Sequence, residues 1–164
     1  MDEINNFDFD LLADGNLGKL VNHLRFYGIS VYYKSEKDHF SLETIAINNK
    51  TPLITTSKRH RRKVYCLKLP DNNKSNLLLQ INFLCENHQI NELFKIDKTR
   101  CALCNNLLTI VDPVDYSEYL PSKTLSFYQE NAQNKTVWFC FHCKKAYWEG
   151  THWDRILQKI DKWY

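Results

Sequence analysis

The sequence predicts an α/β fold: a mostly parallel sheet with flanking helices, followed by a small C-terminal zinc ribbon that ends in a helix. Three observations carry this expectation. Short apolar runs of strand type alternate with stretches of helical periodicity as far as Ile90. Two Cys-x-x-Cys pairs, Cys101/Cys104 and Cys140/Cys143, follow toward the C-terminus. The longest uninterrupted apolar run, Val137–Phe141, is five residues and cannot span a bilayer.

The elements follow in order. Phe7 and Phe9 alternate into the continuous Leu11-Leu12-Ala13, a buried strand that stops at Asp14-Gly15. Leu17, Leu20, Val21 and Leu24 recur at helical spacing and end at Gly28, a residue suited to the left-handed C′ position. Ile29–Tyr33 reads as a second strand, and Leu42, Ile45 and Ala46 mark a short helix with Asp38 as its cap. Pro52–Thr56 and Lys63–Leu69 are the third and fourth strands. Ser75 caps a long helix through Ile90, with Leu77, Leu78, Ile81, Leu84 and Cys85 on its buried side. This alternation implies right-handed crossovers and a parallel sheet. Residues 1–98 are read as the α/β domain and 99–164 as the ribbon and closing helix. In the latter, Val137-Trp138-Phe139 enters the second cysteine pair and Ala146-Tyr147-Trp148 leaves it. Thr151 and Asp154 form a capping box, and Trp153, Ile156, Leu157, Ile160 and Tyr164 then share one helical face.

Apolar residues at 43% and charged residues at 25% describe an ordinary globular chain and exclude a disordered one. The opening MDEINNFDFD is acidic where a secretory or transit signal needs bases and an apolar core, so an intracellular, cytoplasmic setting is expected. In a reducing compartment the two matched cysteine pairs read as ligands of one Zn2+ rather than as disulfides or redox pairs. Four thiolates close a tetrahedral shell, which makes such a site structural. His142 is expected to point outward, and Cys66 and Cys85 to be core thiols. A net charge of +3 is too small to indicate nucleic acid by itself. The run Lys58-Arg59-His60-Arg61-Arg62-Lys63, however, places five cations in six residues. Such a run is either a solvated face or a surface for phosphates.

Several segments together resemble the Mut-seven C-terminal ribonuclease domain family, from about Phe9 to Arg155. Arg100-Cys101-Ala102-Leu103-Cys104-Asn105-Asn106-Leu107-Leu108 is similar to that family's R-C-x-x-C-N-x-x-L. Phe139-Cys140-Phe141-His142-Cys143, running on to Tyr147-Trp148-Glu149-Gly150-Thr151-His152-Trp153, resembles its C-x-x-C…Y-W-x-G-S-H-W. Leu11-Leu12-Ala13-Asp14-Gly15-Asn16-Leu17-Gly18-Lys19-Leu20 is similar to its strand-D-x-x-L-G-K-L opening.

The resemblance implies a PIN-like nuclease fold and metal-dependent phosphodiester hydrolysis, with carboxylates at the C-terminal ends of parallel strands holding Mg2+ or Mn2+. It also implies RNA as the partner, a ribonucleoprotein or protein as a further one, and no membrane. Asp14 matches the first acid, although it also precedes a helix that it could cap. The second, counted from Leu42, falls on His39, with Asp38 beside it as the candidate. The third belongs to a T-R-D motif where this chain has Thr55-Thr56-Ser57, and a hydroxyl does not replace a metal-binding carboxylate. Glu36 and Glu43 are the other carboxylates of this region. The basic run follows directly, so Lys58, Arg59, Arg61, Arg62 and Lys63 are the expected RNA contacts. Tyr32, Tyr33 and Tyr65 either stack on bases or pack, and His152 is read as structural. The expectation is a ribonuclease-family protein that acts on or binds RNA through a degenerate metal site. The alternative is a zinc-ribbon protein-interaction module without RNA activity.

Overall fold

The computed structural model describes residues 9–33, 39–58, 63–70, 76–122, 125–126 and 136–148. Its contacts divide the chain into two units, residues 1–105 and 106–164. No helix among the described residues is long and apolar enough to cross a membrane.

The first unit is the expected mixed α/β structure. Strands β1 (Leu11–Ala13), β2 (Val31–Tyr33), β3 (Leu53–Thr55) and β4 (Cys66–Lys68) form one sheet in the order β2-β1-β3-β4. Every pairing is parallel, with Leu12 opposite both Tyr32 and Leu53. The strands are shorter than expected: β1 and β2 keep the C-terminal ends of their expected ranges, β3 the centre, and β4 a stretch near the end of its range. Helix α1 (Gly18–Phe26) joins β1 to β2, α2 (His39–Asn49) joins β2 to β3, and α3 (Leu77–His88) follows β4. The chain leaves β1 toward β2 and returns past it to β3, so right-handed crossovers put α1 and α2 on opposite faces. On the α2 face, Leu12, Ile45, Ala46 and Leu53 pack together, joined by Phe9, Tyr32 and Val64.

Two helix ends show how local chemistry sets the boundaries. Gly28 takes the C′ position of α1 with φ of 83°, and a Cβ there would lie 2.0 Å from Lys95 O. Both conformation and space therefore demand glycine. At the start of α3 the capping residue is Asn76, not Ser75: its side chain accepts from the Leu78 and Leu79 amides at 3.1 and 3.2 Å. The buried face includes one polar residue, because Gln80 lies one turn before Leu84 on the same side of the helix. Gln80 is buried with Ile81, Leu84 and Cys85, while Leu77 and Leu78 are half-buried.

The second unit holds a three-stranded antiparallel sheet, β5 (Thr109–Val111), β6 (Val137–Cys140) and β7 (Lys145–Trp148), in that order. Its core is Leu120, Val137, Phe139 and Ala146, with Tyr116 stacked against Phe139 at 4.7 Å between ring centroids. The expected C-terminal helix, with Thr151, Asp154, Trp153 and the residues after them, lies outside the described residues.

Candidate functional site

None of the six cysteines is in a disulfide. The Sγ atoms of Cys101, Cys104, Cys140 and Cys143 all lie within 4.8 Å of one another. Thiolates around a zinc ion at about 2.3 Å are separated by about 3.8 Å in an ideal tetrahedron, so this set fits such an ion with small side-chain adjustments. Each pair sits on a tight turn that closes in the left-handed region just after its second cysteine, at Asn105 (φ 67°) and Lys144 (φ 53°). The Cys143 amide points at Cys140 Sγ at 3.4 Å, a donor placed to stabilise a thiolate. His142 is exposed and is not one of the four clustered groups, as expected. Cys85 is buried and Cys66 half-buried, away from this set.

The residues flanking the first pair explain its motif. Arg25, 4% exposed at the end of α1, donates through Nη1 to Ala102 O (2.6 Å) and Leu103 O (3.2 Å). Its Nε and Nη2 reach Val31 O at 3.3 and 2.8 Å. Arg100 donates to Gly28 O (3.1 Å) and Asn105 O (3.0 Å). The Asn105 side chain accepts from the Val31 amide and donates to Ser30 Oγ. The first cysteine turn is thus fixed to the α1–β2 connection by two guanidinium groups and one amide, each satisfying main-chain carbonyls or amides that would otherwise lose water.

The carboxyl edge of the parallel sheet is the other site. Ligands of open α/β sheets bind where the strand order reverses, here between β1 and β3. Asp14 stands at that point, 3% exposed, and its Oδ2 accepts from Thr55 Oγ1 across the strands. It does not cap α1: the N-cap is Leu17, with no side-chain capping bond. Thr55 Oγ1 in turn receives the Ser57 amide at 3.0 Å, and Asn16 Nδ2 donates to Thr56 Oγ1 at 2.9 Å. Thr55 and Thr56 therefore meet the Asp14 loop through their hydroxyls, and Ser57 follows at the position where the resembling motif has its carboxylate. Among the described residues, no group of three or more acid, histidine or cysteine side chains other than the four cysteines is close enough to share an ion. Among the described residues, Asp14 with its neighbouring hydroxyls is only part of the oxygen donor set that a Mg2+ or Mn2+ ion takes. Glu43 is half-buried on α2.

Asp38, Arg59, Arg61 and Arg62 lie outside the described residues, as do Glu36 and His152. Lys58 and Lys63 frame the basic run just beyond β3 and before β4, and both are exposed. Tyr65 is 66% exposed, whereas Tyr32 packs on Phe9 at 5.1 Å and Tyr33 Oη donates to Gly15 O at 2.9 Å. Sequence reasoning missed Arg25, Thr55 and Asn16. Nothing in periodicity marks a helix-end arginine as a carbonyl clamp, and a strand threonine is ordinary.

The family model described as Mut7-C RNAse domain matches residues 10–160, nearly the whole chain. No curated protein and no solved structure matches. A match of this extent covers the sheet, the Asp14 edge and all four clustered cysteines, and the chain belongs to the Mut7-C RNAse domain family.

Proposed function

We propose that the chain binds RNA along the carboxyl edge of its parallel sheet and has lost metal-dependent cleavage. The observation that carries this reading is Ser57, at the sheet edge beside Asp14 where the family's motif has its third acid, in a family whose name denotes a ribonuclease. Hydrolysis of this type needs several carboxylates to hold divalent ions and neutralise developing charge. Asp14 and Asp38 are the acids that such a centre retains, and Ser57 stands where the third belongs. RNA contact falls to Lys58, Arg59, Arg61, Arg62 and Lys63, which supply a sequence-independent grip on phosphates. The four-cysteine site holds zinc in a structural role, since its closed shell leaves no position for substrate. Cysteines without disulfides suit a cytoplasmic setting, where a ribonucleoprotein is the natural context.

The test is filter binding of labelled single-stranded RNA across a salt series. Replacing Arg59, Arg61 and Arg62 together by alanine is expected to weaken binding and to lower the salt slope by about 2, from about 0.7 per lost phosphate contact. An unchanged affinity and slope would make the run a solvated face. No RNA binding by the wild-type chain would leave the protein-interaction module.

A further inference from the structure

A pocket of about 420 Å3 lies at the first turns of α1 and α3, lined by Asn16, Gly18, Lys19, Tyr33, Leu77 and Gln80 among others. That volume falls in the range of small-ligand sites, roughly 300–1,000 Å3. Asp14, Ser57, Lys58 and Lys63 are not among its lining residues. Its walls are chemically divided. Tyr33 and the half-buried Leu77 give apolar surface, Lys19 is an exposed cation, and Asn16 and Gln80 bring amides, the latter only 5% exposed. The Tyr33 wall is fixed in place. Its hydroxyl is held by Gly15 O, and a Cβ at position 18 would stand 2.8 Å from Tyr33 Oη, so a glycine there is what gives the ring its seat. The pocket begins one residue after Asp14, and Asn16 ties its rim to the segment that follows β3.

We infer that this pocket takes one unstacked nucleotide of a single-stranded RNA, with the base against Tyr33 and Leu77 and its phosphate toward Lys19. An apolar wall suits the face of a base, amides suit its edge and a cation suits a phosphate, so together they match a nucleoside monophosphate. A paired and stacked base in a duplex is not available to such a cavity, whereas a splayed single-stranded base is. The inference rests on the RNA reading above and adds to it the site at which a base is held.

The experiment uses the zinc-loaded full chain and isothermal titration with adenosine and uridine 5′-monophosphates, the free nucleosides and inorganic phosphate. A short labelled single-stranded oligonucleotide is titrated in parallel. Leu77→Trp fills the pocket from a half-buried position, and Lys19→Glu reverses an exposed charge; melting curves establish that both fold. At least one monophosphate is expected to bind more tightly than its nucleoside or phosphate. Each variant is expected to weaken oligonucleotide binding by about fivefold or more, the lower end of what one base contact contributes. Phosphate binding as tightly as every monophosphate overturns the nucleotide assignment. Unchanged oligonucleotide affinity in both variants overturns the pocket and leaves the RNA reading standing. Monophosphate binding without any oligonucleotide binding overturns the RNA reading and this inference with it, and leaves a pocket for a free mononucleotide.

Discussion

Replacing Arg25 with methionine keeps the aliphatic stem of the side chain and removes every donor. In the native chain the guanidinium serves three carbonyls: Val31 O, Ala102 O and Leu103 O. Val31 is fully buried, so its carbonyl cannot recover a partner from solvent, at a cost of about 1–3 kcal/mol. Ala102 is half-buried and Leu103 exposed, and their carbonyls can rehydrate, at about 0.5–1.5 kcal/mol each. The expected destabilisation is about 2–6 kcal/mol, a large share of the roughly 5–15 kcal/mol that a domain has. Arg25→Lys keeps the charge but not the planar fork, and is expected to restore less than half of the loss. Urea unfolding of the zinc-loaded protein measures both. A loss below about 1 kcal/mol for Arg25→Met would refute the claim that this arginine fixes the first cysteine turn to the α1–β2 connection. A lysine that fully substitutes would show that charge alone is sufficient.

Three further outcomes follow from the same structure. Stripping the metal with a chelator, or Cys101→Ser, is expected to abolish stoichiometric zinc and the cooperative melt, because a structural ion contributes roughly 10–16 kcal/mol, as much as a whole domain has; metal analysis and calorimetry check this. Gly28→Ala forces a Cβ to 2.0 Å from Lys95 O at a φ of 83°, and is expected to cost more than about 2 kcal/mol in urea unfolding. Burial holds His88 below its ordinary pKa of 6.5. The unfolded chain therefore takes up the proton more readily, so stability is lost as pH falls through about 6.5 and is unaffected by this residue above it. His88→Gln should flatten that part of the pH profile of melting.

Much of the fold was legible because burial in a parallel sheet leaves a plain mark on sequence. Leu11-Leu12-Ala13 and Leu53-Ile54 are apolar runs with no alternation, and the structure buries them on both faces. Gly28 was readable as a helix terminus because few other residues tolerate its backbone. The start of α3 was misplaced by one residue because serine and asparagine are equally good caps, and nothing local distinguishes Ser75 from Asn76. Gln80 was missed for a different reason: it shares a face with Leu84 one turn on, but a polar residue is not read as buried from periodicity. The cysteine cluster was legible from spacing alone, since Cys-x-x-Cys brings two thiols onto one turn wherever it occurs. The clamp around it was not, because Arg25 reaches across more than seventy residues to Ala102, and periodicity carries no long-range information. Thr55 illustrates the limit at the sheet edge. The missing acid at Ser57 could be counted from a motif, but the hydroxyl that meets Asp14 depends on how β1 and β3 pair.

On the function proposed above, the chain grips RNA at an edge no longer able to cut it. The most direct measurement incubates zinc-loaded protein with mixed labelled RNAs, in Mn2+ or Mg2+ and then in EDTA. Asp14→Asn is run beside it, with filter binding on the same samples. The account predicts bound RNA that stays intact under all conditions, with Asp14→Asn indistinguishable from wild type in cleavage. Cutting that depends on the divalent ion and vanishes in Asp14→Asn would contradict it, and would mean that another residue supplies the acid absent at Ser57.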